Sequence, residues 1–251
     1  MPLVPIADPL TTRLLDIVFP PRCGGCGARG QVLCADCLAR VAAPEAARCA
    51  GCDQPLPPDP SGALVGLCAR CQARDDMPLA GLRVAARYAD PIRAAIHALK
   101  YRRQARLAGP LGDLLAHAGE AVAVMGRASV VVPVPLHPTR QRQRGFNQST
   151  LLARRCAARL GLPTRADLLA RTRATPPQVG LNASQRRANV SGAFTATRAA
   201  SAALAGQVVL LVDDVCTTGA TLVAAASALR AAGASAVWGL AVARPGLGAD
   251  R

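Results

Sequence analysis

One residue type is almost missing. Lys100 is the single lysine among 30 basic residues, against 15 acids, which leaves a formal net charge of +15. Aromatics are also scarce: one Trp, two Tyr and three Phe in 251 residues. That is thin for base stacking, so any contact with nucleic acid has to be mostly electrostatic and steeply salt-dependent. No run of about 18 uncharged apolar residues occurs, which gives no support for a transmembrane helix or membrane insertion. The N-terminal stretch lacks a basic region and carries Asp16 in its only apolar run, unlike a signal peptide. A cytoplasmic, reducing setting is therefore expected, where structural disulfides are rare. With 51% hydrophobic residues, disorder as the main state is excluded.

The basic charge is unevenly placed. From Val132 to Val190 the chain has 11 arginines against one acid, Asp167, so this stretch carries +10 of the total. Arginine in place of lysine is also what codon bias and a solvated surface produce. Concentration in one segment favours an anionic partner: nucleic acid, phosphate or pyrophosphate.

Ten cysteines are present, eight of them between Cys23 and Cys71. They form four C-x-x-C pairs, Cys23/Cys26, Cys34/Cys37, Cys49/Cys52 and Cys68/Cys71. Each pair has the spacing of a tight turn that aims two thiolates at one ion, and two turns complete a tetrahedral Cys₄ zinc site. Two structural zinc ions are expected. Cys26-Gly27 and Cys52-Asp53 resemble the opening turns of zinc ribbons, which favours sequential pairing, with a cross-brace as the alternative. Such sites fold a segment that cannot build its own core. Cys156 is expected in the core.

The chain divides at about residue 78. An amphipathic helix over 9–19 and the Cys-rich double ribbon make up 1–78. From 79 to 251 strands alternate with helices, which implies an α/β domain with a parallel sheet flanked by helices. Strands are expected at 81–89, 129–134, 207–212 and 234–243. Helices are expected at 91–103, 107–124, 148–160 and 221–232. Residues 135–147 and 168–193 read as loops.

The sharpest motif is Val208-Val-Leu-Leu-Val-Asp213-Asp214-Val-Cys-Thr217-Thr218-Gly219-Ala220-Thr221. An apolar strand ends in two carboxylates, and a short Thr/Gly turn then opens a helix. The helix N-terminus offers free N–H groups and a positive dipole to a phosphate. The acids lie where α/β sheets bind ligands, and can accept from ribose hydroxyls or order hydrated Mg²⁺. This run resembles the 5-phosphoribosyl pyrophosphate (PRPP) motif of type I phosphoribosyltransferases. The resemblance implies that Asp213 and Asp214 hold the ribose hydroxyls, and that Thr217, Thr218, Gly219, Ala220 and Thr221 cradle the 5′-phosphate, with Mg²⁺ bound beside PRPP. The 6-oxopurine salvage enzymes of that family carry an acid where Thr217 stands, which argues against purine salvage and leaves the acceptor open.

The basic segment contributes Arg140, Arg142 and Arg144 at alternate positions, followed by Gly-Phe-Asn-Gln, and then Arg171, Arg173, Arg186 and Arg187. Guanidinium forks suit phosphate oxygens. The resemblance to phosphoribosyltransferases implies that the first group, Arg144 above all, forms a pyrophosphate loop, and that the second, with Arg171, Arg173 and Arg187, belongs to a lid over PRPP. His137 lies beside the first group, whereas His97 and His117 read as helix-surface residues. Lys100 reads as a helix C-terminal charge, with a phosphate contact as the alternative.

Taken with the paired cysteines, Tyr88…Lys100-Tyr101, Pro-Val-Pro-Leu-His and Arg-Gly-Phe-Asn-Gln, the chain resembles the ComF family of bacterial competence proteins from about Leu10 to Arg244. That resemblance implies a double zinc ribbon on a phosphoribosyltransferase-like domain, linked to DNA uptake beside a competence DNA translocase. Two readings follow. One is a Mg²⁺-dependent phosphoribosyltransferase with an undefined acceptor. The other is a non-catalytic adaptor that reuses the fold, binds a translocase through its ribbons, and tracks single-stranded DNA along the basic segment.

Overall fold

The structure, a computed structural model, describes residues 16, 19–42, 47–57, 65–73, 77–125, 127–175 and 182–246. Among the described residues the Cys-rich segment forms no hydrophobic cluster of its own, and its regular elements are short. They are helix α1 (Ala35–Ala39), the parallel pair β1 (Arg48–Cys49) and β2 (Val65–Gly66), and helix α2 (Ala69–Gln72). Both helices start directly after a cysteine, Cys34 and Cys68 standing at their N-caps. The helix expected over 9–19 lies outside the described residues apart from Asp16 and Phe19. Asp16 forms a two-armed ion pair with Arg106, both contacts at 2.6 Å.

From Gly81 onward strands and helices alternate. In order they are β3 (Gly81–Arg87), α3 (Ile92–Tyr101), a 3₁₀ turn (Ala105–Leu107), α4 (Ala108–Met125), β4 (Val130–Pro133), α5 (Pro138–Arg144) and α6 (Gln148–Leu160). Then come β5 (Leu169–Arg171), α7 (Ala183–Val190), β6 (Phe194–Ala196), α8 (Arg198–Leu204), β7 (Val208–Val215), α9 (Ala220–Ala231) and β8 (Ala236–Arg244). Four strands form a parallel sheet in the order β3-β8-β7-β4. Alternation along β4 and β7 divides the core. Val131, Leu210 and Val212 pack with Ile96, Leu99, Leu111, Leu115 and Leu152 of α3, α4 and α6. Val130, Val132, Val209 and Leu211 pack with Leu222, Ala225 and Leu229 of α9 and with Leu169, Phe194 and Leu204. Each such fully buried Leu or Val contributes about 1.5–3 kcal/mol. Cys156 is among the fully buried residues of the first cluster, and burial pushes its thiol up to about 12.

Two expected loops contain regular structure. Residues 138–144 form α5, with Pro138 in its first turn, His137 Nδ1 accepting from the Thr139 N–H, and Gly145 left-handed at φ 89°. The Pro-Thr-Arg-Gln-Arg-Gln-Arg run is polar all round, so no apolar periodicity reveals a helix. Residues 169–196 contain β5 and β6, paired antiparallel as a small hood, and α7. Asn182 and Gln185 form a capping box at the start of α7, a signal that was present in the sequence.

The second ribbon lies along β3, an edge strand. Asp53, left-handed at φ 58°, aims its carboxylate at that edge. Its Oδ2 accepts from the Val84 N–H at 2.8 Å and from the Arg48 guanidinium at 2.8 Å. Arg83 reaches back to the Ala50 carbonyl at 3.0 Å. Burial pushes the Asp53 carboxyl up, opposed by Arg48, the Val84 N–H and Arg83. Covering an open edge in this way removes a template for strand addition. Asp53→Ala strands a buried N–H and separates the half-exposed arginines from their anion. It should lower unfolding stability by about 2 kcal/mol, measured by denaturant titration, with zinc content unchanged.

Candidate functional site

The cysteine sulfurs gather as two tetrads. Cys23, Cys26, Cys34 and Cys37 form one, and Cys49, Cys52, Cys68 and Cys71 the other, with all sulfurs of a set within 4.8 Å of one another. The pairing is therefore sequential, and the cross-brace is not used. Neighbouring sulfurs are 3.6 Å apart for Cys23–Cys34 and 3.7 Å for Cys26–Cys34 and Cys52–Cys68. A tetrahedron with Zn–S near 2.3 Å has edges of about 3.8 Å, so the donor sets fit zinc. Backbone N–H groups of Gly25 and Cys34 point at Cys23 Sγ, and that of Cys68 at Cys49 Sγ. Burial raises the Cys23 thiol, but the N–H groups of Cys26, Cys34 and Gly25 outweigh it and bring it down to about 6, which favours the thiolate a metal needs.

The second centre lies at the carboxyl end of the sheet. Asp213 and Asp214 are the last-but-two and last-but-one residues of β7, only 8% and 4% exposed. Two adjacent buried carboxylates need compensation, and three elements supply it. Ser149, in the first turn of α6, donates its hydroxyl to Asp213 Oδ1 at 3.0 Å. Lys100, near the end of α3, lies 2.6 Å from Asp214 Oδ2. The Asp214 N–H donates to Asp213 Oδ1 at 2.9 Å. Burial and the Asp214 charge push the Asp213 carboxyl up to about 7. Burial works against the Lys100 ammonium, yet Asp214 and Asp213 hold it above its ordinary value. Ser149 is itself placed by Asn147, which caps α6 by accepting from the Ser149 N–H and donates to the Val134 carbonyl.

These acids open into a cavity of about 350 Å³ whose wall is rich in cations: Lys100, Arg140, Arg144 and Arg171 all line it, with Thr217 and Thr221. Arg144 donates to Gln148 Oε1 and lies over the Tyr101 ring, 5.3 Å from its centroid. Arg140 reaches the Thr175 carbonyl at 3.4 Å. Arg171, buried over Phe194, donates to Thr175 Oγ1 and leaves its Nε without a partner among the described residues. Burial pushes its guanidinium below the ordinary value, and Arg140 adds to this. Such a group gains from an anion.

The turn from β7 to α9 borders the cavity. Gly219 is the N-cap of α9, left-handed at φ 79°, and supplies no side-chain cap to the helix. The long contact from the Ala220 N–H to Thr218 Oγ1, 3.4 Å, leaves the helix start suited to an anion. Of the turn, Thr217 and Thr221 line this cavity, whereas Thr218 and Gly219 face a second cavity towards the ribbon, which Thr217 shares. Two lid candidates lie elsewhere. Arg173 binds the carbonyls of Asn189 and Ser191, at 3.0 and 2.6 Å. Arg187 lines a separate cleft with Phe194, Thr218 and Ala220. The loop residues 176–181 lie outside the described residues. Sequence reading missed Ser149 and underweighted Lys100. Asn147 two positions before Ser149 was the available signal for the first, whereas the partner of Lys100 lies 114 residues away.

Residues 147–245 match the phosphoribosyl transferase domain family, and residues 14–72 the double zinc ribbon domain family. The chain is 35% identical over 174 residues to the DNA utilization protein YhgH of Escherichia coli K12, across 68% of this chain and 74% of that protein. It is 33% identical over 159 residues to competence protein F of Haemophilus influenzae, across 61% and 69%. Among solved structures, the glutamine PRPP amidotransferase of B. subtilis, complexed with ADP and GMP, is 22% identical with a TM-score of 0.39 over 58% of this chain and 30% of that one.

Metal analysis of the purified chain should give two zinc ions. Cys26→Ser or Cys52→Ser should each leave one ion tightly held, and complete chelation should remove the ordered ribbons, read as lost dispersion in amide spectra.

Proposed function

Because the chain belongs to the ComF family of bacterial competence proteins, we propose that it binds PRPP with Mg²⁺ and transfers the phosphoribosyl group to an acceptor in the handling of incoming DNA. One observation carries this reading: the buried acids, the start of α9 and the arginines of α5 and the hood border a single cavity. Asp213 and Asp214 accept from the ribose hydroxyls. The α9 N-terminus, with Thr217, Thr218, Gly219, Ala220 and Thr221, takes the 5′-phosphate. Arg140, Arg144 and Arg171 meet the pyrophosphate, where their forks stabilise the charge that develops as the C1–O bond breaks and the acceptor attacks C1. Asp213 and Asp214 would be the residues to hold Mg²⁺, which when bound would supply neutralisation of pyrophosphate charge. Lys100, 2.6 Å from Asp214 Oδ2, offsets the desolvation of the buried carboxylate pair.

A second reading has support in the names of the relatives and in the exposed arginines Arg142 and Arg154, which leave the outer faces of α5 and α6 basic. Here single-stranded DNA lies along those helices, and a competence DNA translocase is the protein partner.

Calorimetry should detect Mg-PRPP binding that falls at least about 100-fold in Asp213→Asn/Asp214→Asn. No heat on the wild-type protein would sink the reading. The affinity should rise from pH 6 to pH 8, because Asp213 is protonated below about 7 and a neutral carboxyl is a weaker acceptor for hydroxyls and attracts no cation. The same raised value makes the folded chain the better proton binder, so this group's contribution to stability, full below pH 4, is lost as pH rises through 7. DNA retention, if the basic helices carry it, should weaken steeply with salt, by about 0.7 in log K per log salt for each phosphate neutralised.

A further inference from the structure

Arg244 ends β8 where the second ribbon, the sheet and the phosphate turn meet. Its guanidinium donates to the Cys52 carbonyl through NH1, to the Cys216 carbonyl at 3.4 Å through Nε, and to Cys216 Sγ at 3.2 Å through NH2. Cys52 belongs to the second cysteine tetrad, and Cys216 immediately precedes Thr217. The Cys216 N–H also donates to the Ala243 carbonyl at 2.9 Å, so the first residue of the turn is held by backbone and side chain from the same strand end. On the other side, the Cys52 carbonyl is fixed by the knuckle around it: the Asp53 N–H donates to the Cys49 carbonyl at 2.8 Å, and Asp53 is anchored to Val84. Between ribbon and turn lies a cavity of about 230 Å³, lined by Cys52, Gln54, Thr217, Thr218, Gly219 and Arg244.

We propose that Arg244 is a positioning residue that braces the phosphate turn against the second zinc knuckle, so that the ribbon sets the affinity for a sugar 5-phosphate. This rests on the PRPP-binding reading above. A turn built on Thr-Thr-Gly has little side-chain bracing of its own, and a loop that must be ordered on binding loses affinity. One planar fork reaches three acceptors on two segments, which a lysine ammonium in the same place cannot reproduce. The pyrophosphate arginines hang from α5 and the hood, where their partners are Thr175 and Gln148, so the brace acts on one end of the ligand only.

The test is a pair of calorimetric titrations, ribose 5-phosphate and Mg-pyrophosphate, on full-length zinc-loaded wild type and Arg244→Met, with zinc content and melting temperature read on the same samples. Ribose 5-phosphate should bind about tenfold more weakly to the variant, with pyrophosphate within about twofold and zinc still at two. Unchanged ribose 5-phosphate binding overturns the proposal, and so does an equal loss for both ligands. Arg244→Lys should stay as weak as Arg244→Met; full recovery would assign the effect to charge alone and overturn the brace. Should Arg244→Met fail to fold, Cys216→Ala removes one arm, and should weaken ribose 5-phosphate selectively by about threefold. No selective loss there overturns the proposal. A wild type that binds neither ribose 5-phosphate nor PRPP brings down the PRPP reading and the brace together. A wild type that binds both, with an equally competent Arg244→Met, brings down the brace alone.

Discussion

Asp213 and Asp214 lie side by side at the end of a strand that is buried on both faces, and a carboxylate taken out of water costs several kcal/mol unless it is paired and hydrogen-bonded. The groups that compensate them come from different parts of the chain: Ser149 from α6, Lys100 from α3, and the backbone of β7 itself. The acids are therefore held in place and compensated only when the sheet, α6 and α3 are all in place. The cation-lined cavity is the outward face of the same arrangement, since Arg140, Arg144 and Arg171 converge on the opening those acids share.

The ribbons solve a different problem. Their segment has short elements and few apolar side chains, and its sulfur tetrads hold it in shape where a core is lacking. What they gain is a rigid surface that can be docked. Cys23, Leu33 and Cys37 join the cluster of Ile92 and Leu107, and the second ribbon places Asp53 on the Val84 N–H of the edge strand. Arg244 extends that contact from the edge to the end of the sheet where the phosphate turn begins.

The arginine segment does not act as one surface. Arg155 and Arg159 pair with Asp113, and Arg165 with Asp167, on the outside of the domain. Arg173 closes the hood through backbone carbonyls. Only part of the +10 charge faces the cavity: Arg186 lines it, and so do Arg140, Arg144 and Arg171, which are held by short-range contacts to Thr175, Gln148, Phe194 and Tyr101.

The four C-x-x-C pairs, the apolar run into Asp213-Asp214 and the Thr-Gly turn are local patterns, so they were legible from spacing alone, and the parallel sheet followed from strands alternating with helices. Even the sequential grouping of the cysteines was favoured by the residues after Cys26 and Cys52. Helix α5 was not legible, because a helix with no apolar face leaves no period to read. The hood strands of three residues are shorter than any pattern. Lys100 meeting Asp214, Ser149 meeting Asp213 and Arg244 meeting Cys52 were beyond reach for another reason. Their partners lie 114, 64 and 192 residues away. Local sequence therefore determined the ligand types and the strand that carries the acids. Only the packed sheet decided which cation neutralises which carboxylate and where the ribbon touches the phosphate turn, because those distances are set by the burial of side chains far apart in the chain.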